Sequence, residues 1–410
     1  MSSSRVFFGV LILAALAGPA VADWVQSYKV TSGDYSAHAG FGMPVAIGGN
    51  TAIVGAPREH HYYATGSAYL FDVGSGVQLA KLTSNDGAEN DYFGYSVAVS
   101  GNTAIVGVPY DDYNTGSAYL FDVTSGLQLF KLTADDGAED DFFGSSVAVS
   151  GNTAIVGATN DSVNKGGHGS AYVFDVLSGR QLAKLTASDG ARGDSFGWRV
   201  AISGNTAIVG ATGDDDNGSS SGSAYLFDIA SGLQLAKLTA NDGAANDEFG
   251  WSVAISGNTA IVGAPYDGYD TGSAYLFDVT SGVQVARLTP DDPVAGGCFG
   301  SSVAVSGNTA IVGVPYDDYH AGSAYLFDVT SGLQLAKLTA DDSAEDDFFG
   351  LSVAMSGNTI IVGAPGDDDN GPSSGSAYLF VIPEPSTLLM LSSLLPALSV
   401  AGWLRRKHGA

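Results

Sequence analysis

The chain has 410 residues, with 43 Asp and Glu against 16 Lys and Arg, for a formal net charge of −27. That balance excludes a nucleic-acid surface, which needs clustered Lys and Arg to meet phosphates. The lone Cys298 excludes a disulfide framework, and 45% apolar residues are enough to build real cores.

The first element is an address. Arg5 precedes an apolar run from Val6 to Ala17 and a small-x-small pattern at Ala20-Val21-Ala22. Residues 1–22 therefore read as a secretory signal peptide, too short and wrongly flanked to span a membrane. From Asp23 onward one phrase dominates: Phe-Gly, then Ser-Val-Ala, Gly-Asn-Thr-Ala-Ile-Val-Gly and Gly-Ser-Ala-Tyr-Leu-Phe. Its Phe-Gly pairs begin at Phe41, Phe93, Phe143, Phe196, Phe249, Phe299 and Phe349. A period of about 50 residues built from short β-type runs is the mark of propeller blades.

The second copy shows how one blade is built. Phe93 to Ser100 reads as a first strand, and Gly101-Asn102 offers the positive-φ positions of a tight hairpin. Thr103 to Val108, rich in β-branched residues, is a buried second strand. Pro109 to Thr115 is a polar loop, and Ser117 to Phe121 is a third strand. Asp122 to Gly126 turns the chain, Leu127 to Thr133 makes a fourth strand, and Ala134 to Phe142 leads to the next Phe-Gly. Four antiparallel strands per copy predict an all-β, seven-bladed β-propeller over residues 23–382.

The seventh copy lacks its fourth strand, because Tyr378-Leu379-Phe380 runs directly into Val381-Ile382-Pro383. Val25 to Thr31 matches the missing piece, so the N-terminal strand is expected to complete the last blade and close the ring. Each fourth strand carries one cation: Lys29, Lys81, Lys131, Lys184, Lys237, Arg287 or Lys337. On an outermost strand, such a charge reads as protection against edge-to-edge pairing.

Residues 383–410 form a second address. Pro383-Glu384-Pro385 precedes the mostly apolar stretch 386–404, which ends at Arg405-Arg406-Lys407. That length is just adequate for a transmembrane helix, and the basic cluster would stay cytoplasmic. This tail resembles the PEP-CTERM sorting signal of Gram-negative bacteria, also known as an ice-binding-protein C-terminal domain. The resemblance implies handling by an exosortase, at least transient membrane anchoring, and export to the cell surface or an extracellular matrix.

The blade itself resembles the FG-GAP repeat of integrin-type propellers. Phe-Gly opens each copy, and Gly-Ala-Pro stands at Gly55-Ala56-Pro57, Gly263-Ala264-Pro265 and Gly363-Ala364-Pro365. Several relatives of that kind hold calcium in an Asp-rich loop between the two motifs. Here that stretch is only Ser-Gly-Asn-Thr or Gly-Gly-Asn-Thr, so those sites do not carry over.

In a meander the interblade loops and the second-to-third loops share one face of the ring, and most of the 43 acids fall in them. Dense clusters are Asp135, Asp136, Glu139, Asp140 and Asp141, and their counterparts Asp341, Asp342, Glu345, Asp346 and Asp347. The runs Asp214, Asp215, Asp216 and Asp367, Asp368, Asp369 add two more. Two readings stand: a solvated acidic surface, or weak divalent sites, calcium being the cation that oxygen-rich loops suit. Only Arg58, Lys165 and Arg192 lie among these acids in the sequence.

Tyrosines are set between the acids at Tyr110 and Tyr113, Tyr266 and Tyr269, and Tyr316 and Tyr319. Rings beside carboxylates suit sugar binding; they also suit the packing of one loop on its neighbour. For catalysis the most irregular stretch is Arg58 to Tyr63, with His60 and His61 adjacent, but no partner at a distance is identifiable. Gly-x-Ser-x-Gly at Gly218 to Gly222 and Gly371 to Gly375 lacks the strand–turn–helix context of a nucleophile elbow. The expectation is a non-enzymatic surface or matrix module, with no assigned catalytic residue, whose partner is an extracellular glycan or surface protein. The alternative is a propeller enzyme acting on glycan near His60.

Overall fold

Second and third strands of every blade are apolar on both sides of the pleat because both sides are covered. In Thr51–Ala56 and Ser67–Asp72 nearly every residue is buried. Such continuous burial arises when a sheet is sandwiched between two others. The cores accordingly lie between blades. Ile53, Ala68 and Leu70 of the first blade pack against Phe93, Val97, Val106 and Tyr119 of the second. Phe93 meets Tyr119 at 5.7 Å and Phe121 edge-on at 5.9 Å.

The computed structural model describes residues 24–34, 37–60, 64–161 and 167–381. They form seven four-stranded antiparallel sheets. In six sheets spatial order equals chain order; the first blade runs Val45–Gly48, Thr51–Ala56, Ser67–Asp72, Gln78–Leu82. The seventh takes its outer strand from the other end of the chain. Val25–Val30 pairs with Ser376–Val381, in a register from Val25↔Val381 to Val30↔Ala377. The ring closes as expected. At the same junction the Ser352 hydroxyl donates to the Gly42 carbonyl at 2.7 Å.

Blades are joined where the repeated phrase has its glycines. Gly66 forms a parallel bridge with Phe93, and five further blade junctions repeat it. Gly66 has φ +75°, and a Cβ there would collide with the Phe93 carbonyl. The Gly of Phe-Gly is constrained likewise: Gly94 has φ +92°, and its Cβ would meet the Ser67 carbonyl. Both positions need glycine for the same reason, backbone against backbone at the seam.

The structure corrects two boundaries. The regular first strand of the second blade starts at Ser96 rather than Phe93. The third and fourth blades keep longer first strands, Phe143–Ser150 and Phe196–Ser203, each with a register shift. The loop expected from Pro109 to Thr115 contains a single helix-like turn at Asp111–Asn114. Equivalent turns occur at Asp267–Asp270 and Asp317–His320, and each contains left-handed residues, among them Tyr113, Tyr269 and Tyr319.

No helix among the described residues is long and apolar enough to cross a membrane. The signal peptide at 1–22, the span at 386–404 and the sorting residues Pro383, Glu384, Pro385, Arg405, Arg406 and Lys407 lie outside the described residues.

Candidate functional site

The acidic loops do converge on one face, and the fourth-strand cations reach into them. Here the structure corrects the reading of those cations as guards of a free edge. In the fourth blade, Lys237 Nζ lies 2.8 Å from Asp189, 2.8 Å from Asp214 and 2.6 Å from Asp216. Asp189 comes from the interblade loop, Asp214 and Asp216 from the second-to-third loop. The hydroxyl of Tyr225 donates to Asp214 at 2.8 Å, and the ammonium stands 5.4 Å from the Tyr225 ring centroid. Strand register makes this possible, because Tyr225 and Lys237 are direct cross-strand partners.

Every blade repeats the arrangement. The tyrosines Tyr69, Tyr119, Tyr172, Tyr275, Tyr325 and Tyr378 pair in register with Lys81, Lys131, Lys184, Arg287, Lys337 and Lys29. Each cation spans one acid from each loop, as Lys131 does with Asp86 and Asp111, and Lys81 with Asp34 and Glu59. The face is therefore far less bare of positive charge than its loops suggest, since seven cations enter it from below.

The protonation states follow. Burial alone would depress Lys237, but hydrogen bonds to Asp189, Asp214 and Asp216 hold it above its ordinary value. Burial would raise Asp214, yet Lys237 and Tyr225 hold it below the usual carboxylate range. Burial, with the Asp214 hydrogen bond, pushes the Tyr225 hydroxyl well up. All three groups keep their ordinary charge states at neutral pH.

The expected acidic clusters are dispersed by this design. Asp136 pairs with Lys184 at 2.6 Å and accepts from Tyr172. Asp141 is buried and accepts the Ala138 N–H at 2.7 Å, closing its own loop, and burial raises its carboxyl. Asp140 accepts from Asn114, while Asp135 and Glu139 are exposed. Asp215 accepts the Ser220 N–H, apart from Asp214 and Asp216. In the seventh blade Asp342, Asp367 and Asp369 surround Lys29, Asp347 caps Ala344, and Asp346 meets His320.

Among the described residues, two groups of three carboxylates have oxygens close enough to share a metal: Asp189, Asp214, Asp216 and Asp342, Asp367, Asp369. Each already surrounds an ammonium at 2.6–2.8 Å, so a calcium ion would have to displace Lys237 or Lys29. The first-to-second turns, where calcium-binding relatives carry their ligands, are closed as well. Asn102 donates to Asp122 and accepts from Thr124. The two Asp triads are thus compatible with a divalent cation only in exchange for the ammonium each now surrounds.

The six candidate tyrosines separate into two sets. Tyr113, Tyr269 and Tyr319 stand at the loop tips, 80%, 96% and 80% exposed. Tyr110, Tyr266 and Tyr316 pack instead: Tyr110 against Tyr92, Tyr95 and Phe142, Tyr266 against Trp251, Tyr316 against Phe348, and the last two line the axial cavity. The inner members serve packing, the outer ones do not. His60 is exposed and hydrogen-bonds Thr65 at 3.0 Å, while His61 lies outside the described residues. His168 borders a recess of about 380 Å³ between the third and fourth blades, and His320 stacks on Phe348.

An axial cavity of about 360 Å³ is lined by residues of all seven blades, including Tyr95, Arg199, Trp251, Tyr266 and Tyr316. Arg199 was not singled out in the sequence. The signal was present, since the second residue after Phe-Gly is serine in five copies, Pro44 in one and Arg199 in another.

Seven radial sheets closed by the N-terminal strand, with ion-paired loops on one face, define a repeat-built β-propeller. Seven stretches, 24–71, 77–121, 127–174, 180–227, 233–277, 283–327 and 333–380, match the FG-GAP repeat. The chain belongs to the FG-GAP repeat family. Each match runs from the outer strand of one blade to the third strand of the next, so all seven are complete even though the last blade borrows its outer strand. No curated protein matches the chain.

Proposed function

We propose that this protein is a non-enzymatic interaction module, exported and sorted to the cell surface or extracellular matrix, that binds neutral glycan through its loop face. Membership of the FG-GAP family supports an extracellular binding role in general. The observation that carries the finer reading is the exposure of Tyr113, Tyr269 and Tyr319 on the tips of the second-to-third loops. Exposed aromatic faces offer a pyranose ring an apolar surface, and neighbouring carboxylates such as Asp112, Asp270 and Asp318 accept from its hydroxyls. A surface so acidic repels polyanions, which favours a neutral chain.

Sorting rests on the Pro383-Glu384-Pro385 tail, with an exosortase as the processing partner and a Gram-negative-type cell as the setting. Binding without turnover is tested by incubating the protein with neutral polysaccharides and measuring both retention and released sugar. Retention that falls about ten-fold or more in the Tyr113→Ala, Tyr269→Ala, Tyr319→Ala triple variant, with no released product, supports the reading. Product formation abolished by His60→Ala would replace it with the enzymatic alternative.

A further inference from the structure

At the axis of the ring the sevenfold repetition is broken by a charge. At the second position after Phe-Gly the blades carry Pro44, Ser96, Ser146, Arg199, Ser252, Ser302 and Ser352. The hydroxyls of Ser96, Ser252, Ser302 and Ser352 donate to the Gly144, Gly300, Gly350 and Gly42 carbonyls of the following blades. Arg199 instead lies in the wall of the axial cup.

Its guanidinium has five donors. It donates to the Trp198 carbonyl at 3.2 Å and stands 5.7 Å from the Trp198 ring. No carboxylate of the described residues lies within ion-pair distance of it, although acids outnumber basic residues 43 to 16 in this chain. The other unpaired arginines among the described residues, Arg58, Arg180 and Arg192, are exposed to water, whereas Arg199 is half-buried. Desolvation holds its pKa below the ordinary arginine value. Arg58 borders an adjoining recess that shares Met43, Tyr316 and Leu351 with the cup. The buried Nε1–H of Trp198 finds no acceptor among the described residues. Burial raises the Tyr266 hydroxyl, with Glu248 and Asp270 adding to it, and burial raises the Glu248 carboxyl.

We propose that the axial cup binds a single pyranose ring bearing one carboxylate, a uronic-acid-type residue, with Arg199 meeting the carboxylate and the aromatic wall facing the ring. Guanidinium and carboxylate match in planar, two-pronged geometry, and the pairing is stronger out of bulk water. The volume of about 360 Å³ suits one ring. Trp251, Tyr95, Tyr266 and Tyr316 supply apolar faces that an acidic peptide side chain would leave uncovered. One carboxylate suffices, because a chain of repeated anions would be repelled by the surrounding loops. The cup is independent of the loop-tip tyrosines, none of which lines it.

The test is calorimetric titration of the purified full chain, at matched ionic strength, with glucuronate, glucose, acetate and a short Asp-containing peptide. Arg199→Ser is the informative variant, since serine is what five blades already carry at this position. Glucuronate is expected to saturate at millimolar concentration and to bind at least about ten-fold tighter than glucose or acetate. R199S is expected to weaken glucuronate about ten-fold or more while melting as the parent does. Should R199S lower the melting temperature, Arg199→Gln, which keeps length without charge, carries the same comparison. The loop-tip tyrosine triple variant should leave glucuronate affinity unchanged, so this site and the loop-tip surface fail or stand separately. Equal glucuronate affinity in the parent and both Arg199 variants overturns the proposal. So does glucose binding as tightly as glucuronate, tighter binding of the peptide, or no saturable binding below about 10 mM.

Discussion

Replacing Lys237 by Met removes the ammonium shared by Asp189, Asp214 and Asp216 while keeping the length of the stem against Tyr225. The Asp214 side chain is only 5% exposed, so its charge would be left nearly dry. Removing one partner of a fully buried pair costs about 3–5 kcal/mol. Asp189 and Asp216 are 44% and 62% exposed, and water relieves part of that cost, leaving about 2–3 kcal/mol. At about 2.1 cal/mol/K per residue, the unit Trp24–Val381 unfolds with an entropy of about 0.75 kcal/mol/K, so Tm should fall by about 3–4 °C. The pH dependence has a definite sign. Asp189 and Asp214 are held below the ordinary carboxylate range when folded. The stability they contribute is therefore present above about pH 4 and is lost as pH falls through their folded values. Differential scanning calorimetry at low salt should show the K237M deficit fully at pH 7 and shrinking below about pH 4. Adding Asp214→Asn to K237M should recover about half or more of the loss. A K237M protein melting within about 1 °C of the parent at pH 7, or a deficit unchanged at pH 3, would refute the reasoning.

Deleting Trp24 to Thr31 strips the seventh blade of its outer strand and removes Lys29 from Asp342, Asp367 and Asp369. It should cost about 5 kcal/mol or more, read as a lowered urea midpoint. Burial raises the Asp347 carboxyl to about 6. The folded state thus holds that proton more tightly than the unfolded chain, so stability should rise as pH falls from 7 to 5. Asp347→Asn should melt about 1 °C higher than the parent at pH 7 and lose that advantage at pH 5. Calcium should stabilise the parent no more than sodium chloride of matched ionic strength, because Lys237 and Lys29 sit in the two three-carboxylate groups. In K237M, with the ammonium gone, a calcium-specific gain in Tm is expected. A chain ending near Ile382 should be recovered in the medium, and the full chain with the membrane or surface fraction, by immunoblot of fractionated cells.

What the sequence determined by itself was everything that repeats. The period marked the blades, and Thr-Ala-Ile-Val-Gly and Ser-Ala-Tyr-Leu-Phe marked the buried strands. The truncated seventh copy, set beside Val25 to Thr31, announced that the N-terminal strand closes the last blade, and the structure supplies its register, Val25↔Val381. These are local signals, and local β patterning determines which residues can lie between two sheets. What the tertiary structure alone decided was where side chains from different loops meet. Lys237 looked like a guard on an outer strand because nothing local indicates that Asp189, Asp214 and Asp216 arrive beside it from two separate loops. The divergence of Tyr110 from Tyr113 depends on a left-handed turn, φ 48° at Asp112 and 56° at Tyr113, that polar loop residues do not advertise. Arg199 was visible as a departure from serine, but its lack of a carboxylate partner among the described residues became a fact only once seven first strands were brought around one axis. Pairing, burial and the shape of the cup are properties of distant residues converging, and convergence is what chain closure supplies.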